Sequence, residues 1–202
     1  MRLRYTSASP FVRKVMVTAH ELGIQDQLEL VPTALMTEDT QFWSENPLGK
    51  VPVLSTNEGQ VYDSGVICEY LDATFGGGKL FHPVGEARWR CLTLAALANG
   101  IMEAGVTRRR EGMVHGDSAD KKLVAFETAR MHRGLDRVQQ ELDALSAKEE
   151  HVFDYGAIAT AVCLGWLEFR FGAELAFTNR PALEQWWQGV KTRASLTATQ
   201  PK

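Results

Sequence analysis

The stretch Asn46-Pro47-Leu48-Gly49-Lys50-Val51-Pro52-Val53-Leu54 poses a problem that few folds can solve. Val51 to Leu54 reads as a strand, yet Pro52 has no N–H to give a sheet ladder, and proline is normally confined to strand starts, bulges or sheet edges. One resolution is a cis Val51–Pro52 bond, which turns the chain and leaves the Val51 N–H and C=O facing outward. Only about 5–6% of X–Pro bonds are cis, so the local sequence does not demand it. Backbone groups freed in this way can pair with an extended peptide, as an added strand would.

The flanks supply the rest of a small α/β unit. On the carboxyl side, Gln60 to Tyr62 reads as a second strand, joined to the first through Asn57-Glu58-Gly59, a hairpin signal. Ser64 then caps a helix carrying Val66, Ile67, Tyr70 and Leu71, stopped at Gly76-Gly77-Gly78. On the amino side, Arg2-Leu3-Arg4-Tyr5 alternates polar and apolar as a short strand. Ser9-Pro10 opens a helix, with serine as N-cap and proline at the first helical position. Phe11, Val12, Val15, Met16, Ala19 and Leu22 follow at helical spacing, and Gly23 ends the run. Gln27 to Val31 reads as a strand closed by Pro32, and residues 33–47 as an irregular, helix-bearing loop. The order β-α-β-α-β-β-α implies a parallel pair with a right-handed crossover, then antiparallel additions to one mixed sheet.

Past residue 84 the signals are helical. Ala87 to Gly112, Asp120 to Leu145, Ala157 to Phe171 and a segment opened by Pro181 each carry apolar residues at helical spacing. Ala157 to Phe171 is apolar almost all round and is expected to be the buried central helix. Trp166, Trp186 and Trp187 read as core. Charge shifts with the pattern: residues 1–78 hold 5 Lys+Arg against 10 Asp+Glu, and residues 79–202 hold 17 against 15. The expected organisation is an α/β domain over 1–78, a linker over 79–84 and an all-helical bundle over 85–202.

Composition narrows the function classes. The 202 residues are 45% hydrophobic and 23% charged with a net charge of −3, which excludes disorder, collagen and a coiled coil. No stretch nears the roughly 20 apolar residues of a membrane span, and the start MRLRYTSASP lacks the apolar core of a secretory signal. A cytoplasmic protein with no membrane partner is expected. The near-neutral balance leaves no electrostatic footprint for nucleic acid. Cys68, Cys91 and Cys163 are widely spaced within helical segments and read as free, buried thiols. The five histidines show no metal-binding spacing, and no metal is expected.

Three local features carry chemistry. Ser9 places a hydroxyl at a helix N-terminus, where orphan N–H groups and the helix dipole favour an anion. Ser9 as a plain cap is the alternative, and Thr6 or Ser7 in the same loop could supply the hydroxyl instead. Val51-Pro52 offers backbone hydrogen bonds to a peptide. Asp63-Ser64 places an acid and a hydroxyl at another helix start, suited to a ligand ammonium and carboxylate, with a plain cap again the alternative.

Taken together, SPFVRKV, NPLGKVPVL and DSGVICEYL, followed by a helical domain, resemble the glutathione transferase family, in particular its serine-type bacterial members. ARWRCLTLAALANGIMEA and IATAVCLGWLEFR strengthen the likeness in the second half. The resemblance implies a thioredoxin-like first domain that binds glutathione as co-substrate, and an all-α second domain that helps bind a small hydrophobic electrophile. It implies that Ser9 stabilises the glutathione thiolate and that Phe11 lies beside the tripeptide. It also implies that Lys50 reaches the glycine carboxylate, that Val51 before the cis Pro52 pairs with the cysteinyl backbone, and that Asp63 and Ser64 hold the γ-glutamyl group. A homodimer with a role in detoxification is expected on the same basis. Two other readings stay open: a non-catalytic adaptor on this fold, and a specialised glutathione-dependent lyase, isomerase or dehalogenase. Serine in place of cysteine at position 9 disfavours thiol exchange, since no sulfur is present there to form a mixed disulfide.

Departures from the family pattern lie elsewhere. Asp154 occupies the cap of the central helix with Ala157 three residues on, so half of a reciprocal capping pair is missing. Asn99 stands where an aspartate is common, and Ala194 where proline is usual. Arg108-Arg109-Arg110-Glu111 reads as a solvated helix face, or as a basic lining that selects an anionic electrophile.

Overall fold

Strand β1 (Arg2–Tyr5) sits inside a four-stranded sheet of order β2-β1-β3-β4, with β2 Glu29–Pro32, β3 Val53–Ser55 and β4 Gln60–Val61. The computed structural model describes residues 1–35, 37–146 and 152–201, the side chains of 143–146 excepted. β1 pairs in parallel with β2, Leu3 opposite Leu30, and antiparallel with β3, Arg4 opposite Val53. β3 pairs antiparallel with β4, Leu54 opposite Val61. The period-two pattern turns Leu3 into the core with no exposure, on the same face as its partner Leu54, while Val53 is buried on the other face.

Helix α1 (Pro10–Glu21) crosses between β1 and β2 and buries Val12, Val15, Val17 and Ala19. Gly23 follows at φ 70°, a left-handed conformation that costs glycine nothing. Helix α2 (Thr40–Glu45) lies in the irregular stretch 33–47, of which residue 36 is outside the described residues. Helix α3 (Ser64–Leu71) follows β4. This is the expected thioredoxin-like α/β arrangement.

Several boundaries differ from the sequence reading. β3 begins at Val53 rather than Val51, because Pro52 cannot donate to the ladder. Gln27 falls in a 3-10 turn, so β2 starts at Glu29. Asp63, not Ser64, caps α3: both residue types cap helices, and here the carboxylate reaches the free N–H groups.

The chain divides into two compact units, Met1–Arg88 with Arg193–Lys202, and Trp89–Thr192. Residues 79–84, expected as a linker, fall in the first unit. The buried Asp72 carboxylate accepts the N–H groups of Leu80 at 3.1 Å and Phe81 at 2.8 Å, and both side chains are buried. The final residues also join the first unit. Arg13 on α1 donates to the Leu196 carbonyl at 3.1 Å, and Arg193 pairs with Glu21 at 2.8 Å.

The second unit is helical: α4 Glu86–His115 (beginning in the first unit), α5 Lys121–Ser146, α6 Tyr155–Phe171, α7 Ala173–Phe177 and α8 Pro181–Val190. Helix α6 buries every residue from Tyr155 to Leu167, as its all-round apolar sequence requires. Its cap is the expected Asp154, whose carboxylate accepts the Ala157 N–H at 2.9 Å. Trp166 and Trp187 are core and Trp186 is half-buried. Residues 147–151, between α5 and α6, and residue 202 lie outside the described residues. A short helix α9 (Ala194–Ala198) ends the chain in the first unit. Among the described residues no helix is long and apolar enough to cross a membrane.

Candidate functional site

The register of the sheet gathers the three segments singled out from the sequence. Because β3 runs antiparallel to both neighbours, the carboxyl end of β1, the amino end of β3 and the carboxyl end of β4 lie at one end of the sheet. Ser9 follows β1, Val51-Pro52 immediately precedes β3, and Asp63-Ser64 follows β4. Residues more than 50 positions apart in the chain thus open onto one edge of the first unit.

At that edge Ser9 is the N-cap of α1, half-buried, its Oγ accepting the Val12 N–H at 3.3 Å. Capping consumes a lone pair, and the hydroxyl hydrogen remains available to a ligand. Cap and donor are therefore compatible roles. Pro10 supplies the first helical residue without leaving an orphan N–H. Phe11 is half-buried beside Lys14, whose ammonium lies 5.9 Å from the ring centroid. The Thr6 carbonyl accepts the Ser9 N–H at 3.3 Å, which fixes the loop; Ser7 is exposed.

The second segment is organised by a residue that sequence reasoning left unassigned. Asn46 is buried, its Nδ2 donates to the Lys50 carbonyl at 2.8 Å, and its Oδ1 accepts the Leu48 N–H at 3.0 Å. An Asx turn of this kind was legible in Asn-Pro-Leu-Gly, because asparagine bonds its own backbone two residues on. Gly49, at φ 60°, completes the turn. Lys50 is exposed and forms no ion pair among the described residues. Val51–Pro52 is cis, and Val51 makes no hydrogen bond to another described residue. In the third segment Asp63 is exposed, accepting the N–H groups of Gly65 at 2.9 Å and Val66 at 3.5 Å. Ser64 is buried at the first helical position, and Tyr62–Asp63 is a second cis peptide.

Comparison with known proteins fits this geometry. The glutathione S-transferase N-terminal domain model matches residues 3–79. An uncharacterized GST-like protein, YibF of Escherichia coli strain K12, is 31% identical over 202 residues, covering 100% of this chain and 98% of that protein. The chain belongs to the glutathione transferase family. A crystal structure of a glutathione transferase family member from Pseudomonas fluorescens Pf-5 with bound glutathione superposes with a TM-score of 0.91 at 36% identity, over 100% of this chain and 98% of that one. A second structure of a family member from the same organism holds S-(propanoic acid)-glutathione, with a TM-score of 0.88 at 36% identity and full coverage of both chains.

In this glutathione transferase family member the protein's own thiols are poor nucleophiles. Burial pushes Cys68 up to about 11 and Cys91 up to about 12, and raises Cys163 further. All three are free and buried, as the sequence suggested. The Cys68 sulfur accepts from the Thr18 hydroxyl at 3.3 Å, between α3 and α1.

Proposed function

We propose that this chain conjugates the thiolate of glutathione to small hydrophobic electrophiles, and that Ser9 donates the hydrogen bond that stabilises the thiolate. The observation that carries the reading is the convergence of Ser9, Val51-Pro52 and Asp63-Ser64 at one end of the sheet, with the Ser9 hydrogen uncommitted by the cap. Lys50 receives the glycine carboxylate, the Val51 backbone pairs with the cysteinyl residue, and Asp63 and Ser64 take the γ-glutamyl ammonium and carboxylate. Phe11 lies against the tripeptide.

The chemistry asks for little else. A free thiol titrates near about 8.5, so only a few per cent is thiolate at neutral pH. A hydroxyl donor and a helix N-terminus together contribute roughly 2.7 kcal/mol of thiolate stabilisation, enough to lower that pKa by about two. The sulfur then attacks the electrophile, a carbon–sulfur bond forms, and the leaving group departs with its electron pair. An activated thiolate and a positioned electrophile suffice, with no metal in the scheme. The acting species is a cytoplasmic homodimer, as the family resemblance implies, and native mass measurement checks that assembly.

The test has two parts. Purified protein is retained on immobilised glutathione and released by free glutathione, and ultraviolet absorbance shows bound thiolate at neutral pH. Retention with no thiolate signal and no turnover of a chloronitroarene overturns the catalytic reading and leaves the adaptor.

A further inference from the structure

We propose that Arg108, Arg109 and Arg170 form a carboxylate-binding subsite in the helical unit, selecting electrophiles whose apolar body carries an anionic group. The inference rests on the reading above, that this unit receives the second substrate.

The subsite follows from one glycine. Gly105 on α4 lies against Trp166 on α6: a Cβ there would meet the indole at 2.6 Å and the Phe171 ring at 3.3 Å. The close approach brings the next turn of α4, carrying Arg108 and Arg109, beside the end of α6. The Arg108 guanidinium lies 4.8 Å from the centroid of Phe171, and that of Arg170 lies 4.3 Å from the centroid of Phe169. Arg108 Nη1 and Arg170 Nε are buried with no hydrogen-bond partner. Burial and the neighbouring Arg109 charge both push the Arg170 guanidinium below its ordinary range.

Among the described residues no acid answers these charges. Among the described residues none of the three arginines forms an ion pair. Glu111 accepts the Asp120 N–H and faces His115, Glu168 holds the Trp187 indole, and Glu103 and Glu174 are exposed. Aromatic faces attract cations but do not neutralise them or fill an orphan N–H. A group with two anionic oxygens does both, since guanidinium binds carboxylate through paired N–H donors. Phe171, packed between Arg108 and Trp166, adds an apolar face for the body that bears it. Only Arg110, exposed on the same stretch of α4, fits the solvated face that the charge run suggested.

The decisive experiment compares a chloronitrobenzoate with its uncharged chloronitrobenzamide as electrophiles. In each, the glutathione sulfur bonds to the ring carbon and chloride leaves with the electron pair. The ratio of kcat/KM, benzoate over benzamide, falls at least about tenfold in Arg108→Gln and in Arg170→Gln, and is unchanged in Arg110→Gln. Calorimetric titration with nitrobenzoate, which does not react, gives binding to the wild type that Arg108→Gln and Arg170→Gln both lose, with circular dichroism confirming their fold. Benzamide turnover with an unaltered ratio overturns the subsite and leaves the transferase reading standing. Arginine-dependent nitrobenzoate binding without turnover of either electrophile supports the subsite and overturns the transferase reading. Loss of folding in Arg170→Gln is bypassed with Arg170→Lys, which keeps the charge and loses the paired donors; an unaltered ratio there, together with one in Arg108→Gln, also overturns the proposal.

Discussion

Helices α1 and α6 start alike, each capped by one short polar side chain, and then bury opposite kinds of residue. Helix α1 takes Arg13, Lys14 and Thr18 into the core, whereas α6 buries an unbroken run from Tyr155 to Leu167 in which Thr160 bonds back to its own Gly156 carbonyl. The contrast extends to the units. Of the thirteen buried polar or charged side chains described, ten lie in the first unit and three in the second, so position in the first unit is fixed more by hydrogen bonds than by volume. A site that must hold several polar groups of a peptide needs that kind of fixing. An apolar helix needs only to be packed.

Removing residues 193–202 gives the largest expected effect. It strips the Leu196 carbonyl and the Thr199 hydroxyl from the Arg13 guanidinium, which burial already lowers to about 10. It also strips Arg193 and Ser195 from Glu21. Leaving charges unpaired in a buried setting costs about 3–5 kcal/mol, read as a fall in urea midpoint followed through the first unit. A loss under about 1 kcal/mol would sink the claim that polar partners position α1. In α6 the matching experiment is Leu164→Ala, which leaves a cavity in place of a side chain 1% exposed. The expected cost is about 3 kcal/mol, with no change in glutathione retention.

This contrast also marks what the sequence could reveal. The order of elements, the parallel pair and the hairpin were legible because Ser9-Pro10, Pro52 and Asn57-Glu58-Gly59 each allow few backbone solutions. The central helix was legible from its composition. Arg13 and Lys14 were not, since a charged pair between apolar positions reads as solvated until its partners are known, and those of Arg13 lie 183 and 186 residues away. The return of α9 to the first unit was hidden for the same reason. The choice of Asp63 over Ser64 as cap turns on which oxygen faces the N–H groups, a matter of local geometry between two good cappers.

The two caps sharpen the comparison in paired form. Ser9→Ala and Asp154→Ala each remove one side-chain acceptor, from Val12 at 3.3 Å and from Ala157 at 2.9 Å. Each is expected to cost about 1 kcal/mol of stability. Ser9→Ala alone also cuts chloronitroarene conjugation at least about tenfold, near 1.4 kcal/mol, with little change in glutathione affinity. Steady-state kinetics beside denaturation separates the two effects. Equal activity in both variants would move the donor role to Thr6, Ser7 or backbone groups.

The smallest effect is one of pH, and it belongs to the polar unit. Hydrogen bonds from Arg4 hold the Glu45 carboxyl below its ordinary 4.5, outweighing burial. Burial alone would raise Glu21, but hydrogen bonds from Arg193 and Ser195 and the charges of Arg193 and Lys79 hold it below 4.5 as well. A carboxyl that binds its proton less readily when folded stabilises the fold fully above its unfolded pKa, and the gain is lost as pH falls through the folded one. The first unit should therefore lose stability as pH drops below 4.5, while stability at about pH 6 to 8 stays level with respect to these two groups. Urea midpoints across that range test the slope. The wild type falls on the acid side, and the Glu21→Gln, Glu45→Gln double variant, less stable at about pH 6, falls less steeply because neither position can take up a proton. Parallel acid limbs in the two proteins would show that other groups govern the slope, and that the Arg4–Glu45 and Arg193–Glu21 pairs lie too near solvent to matter.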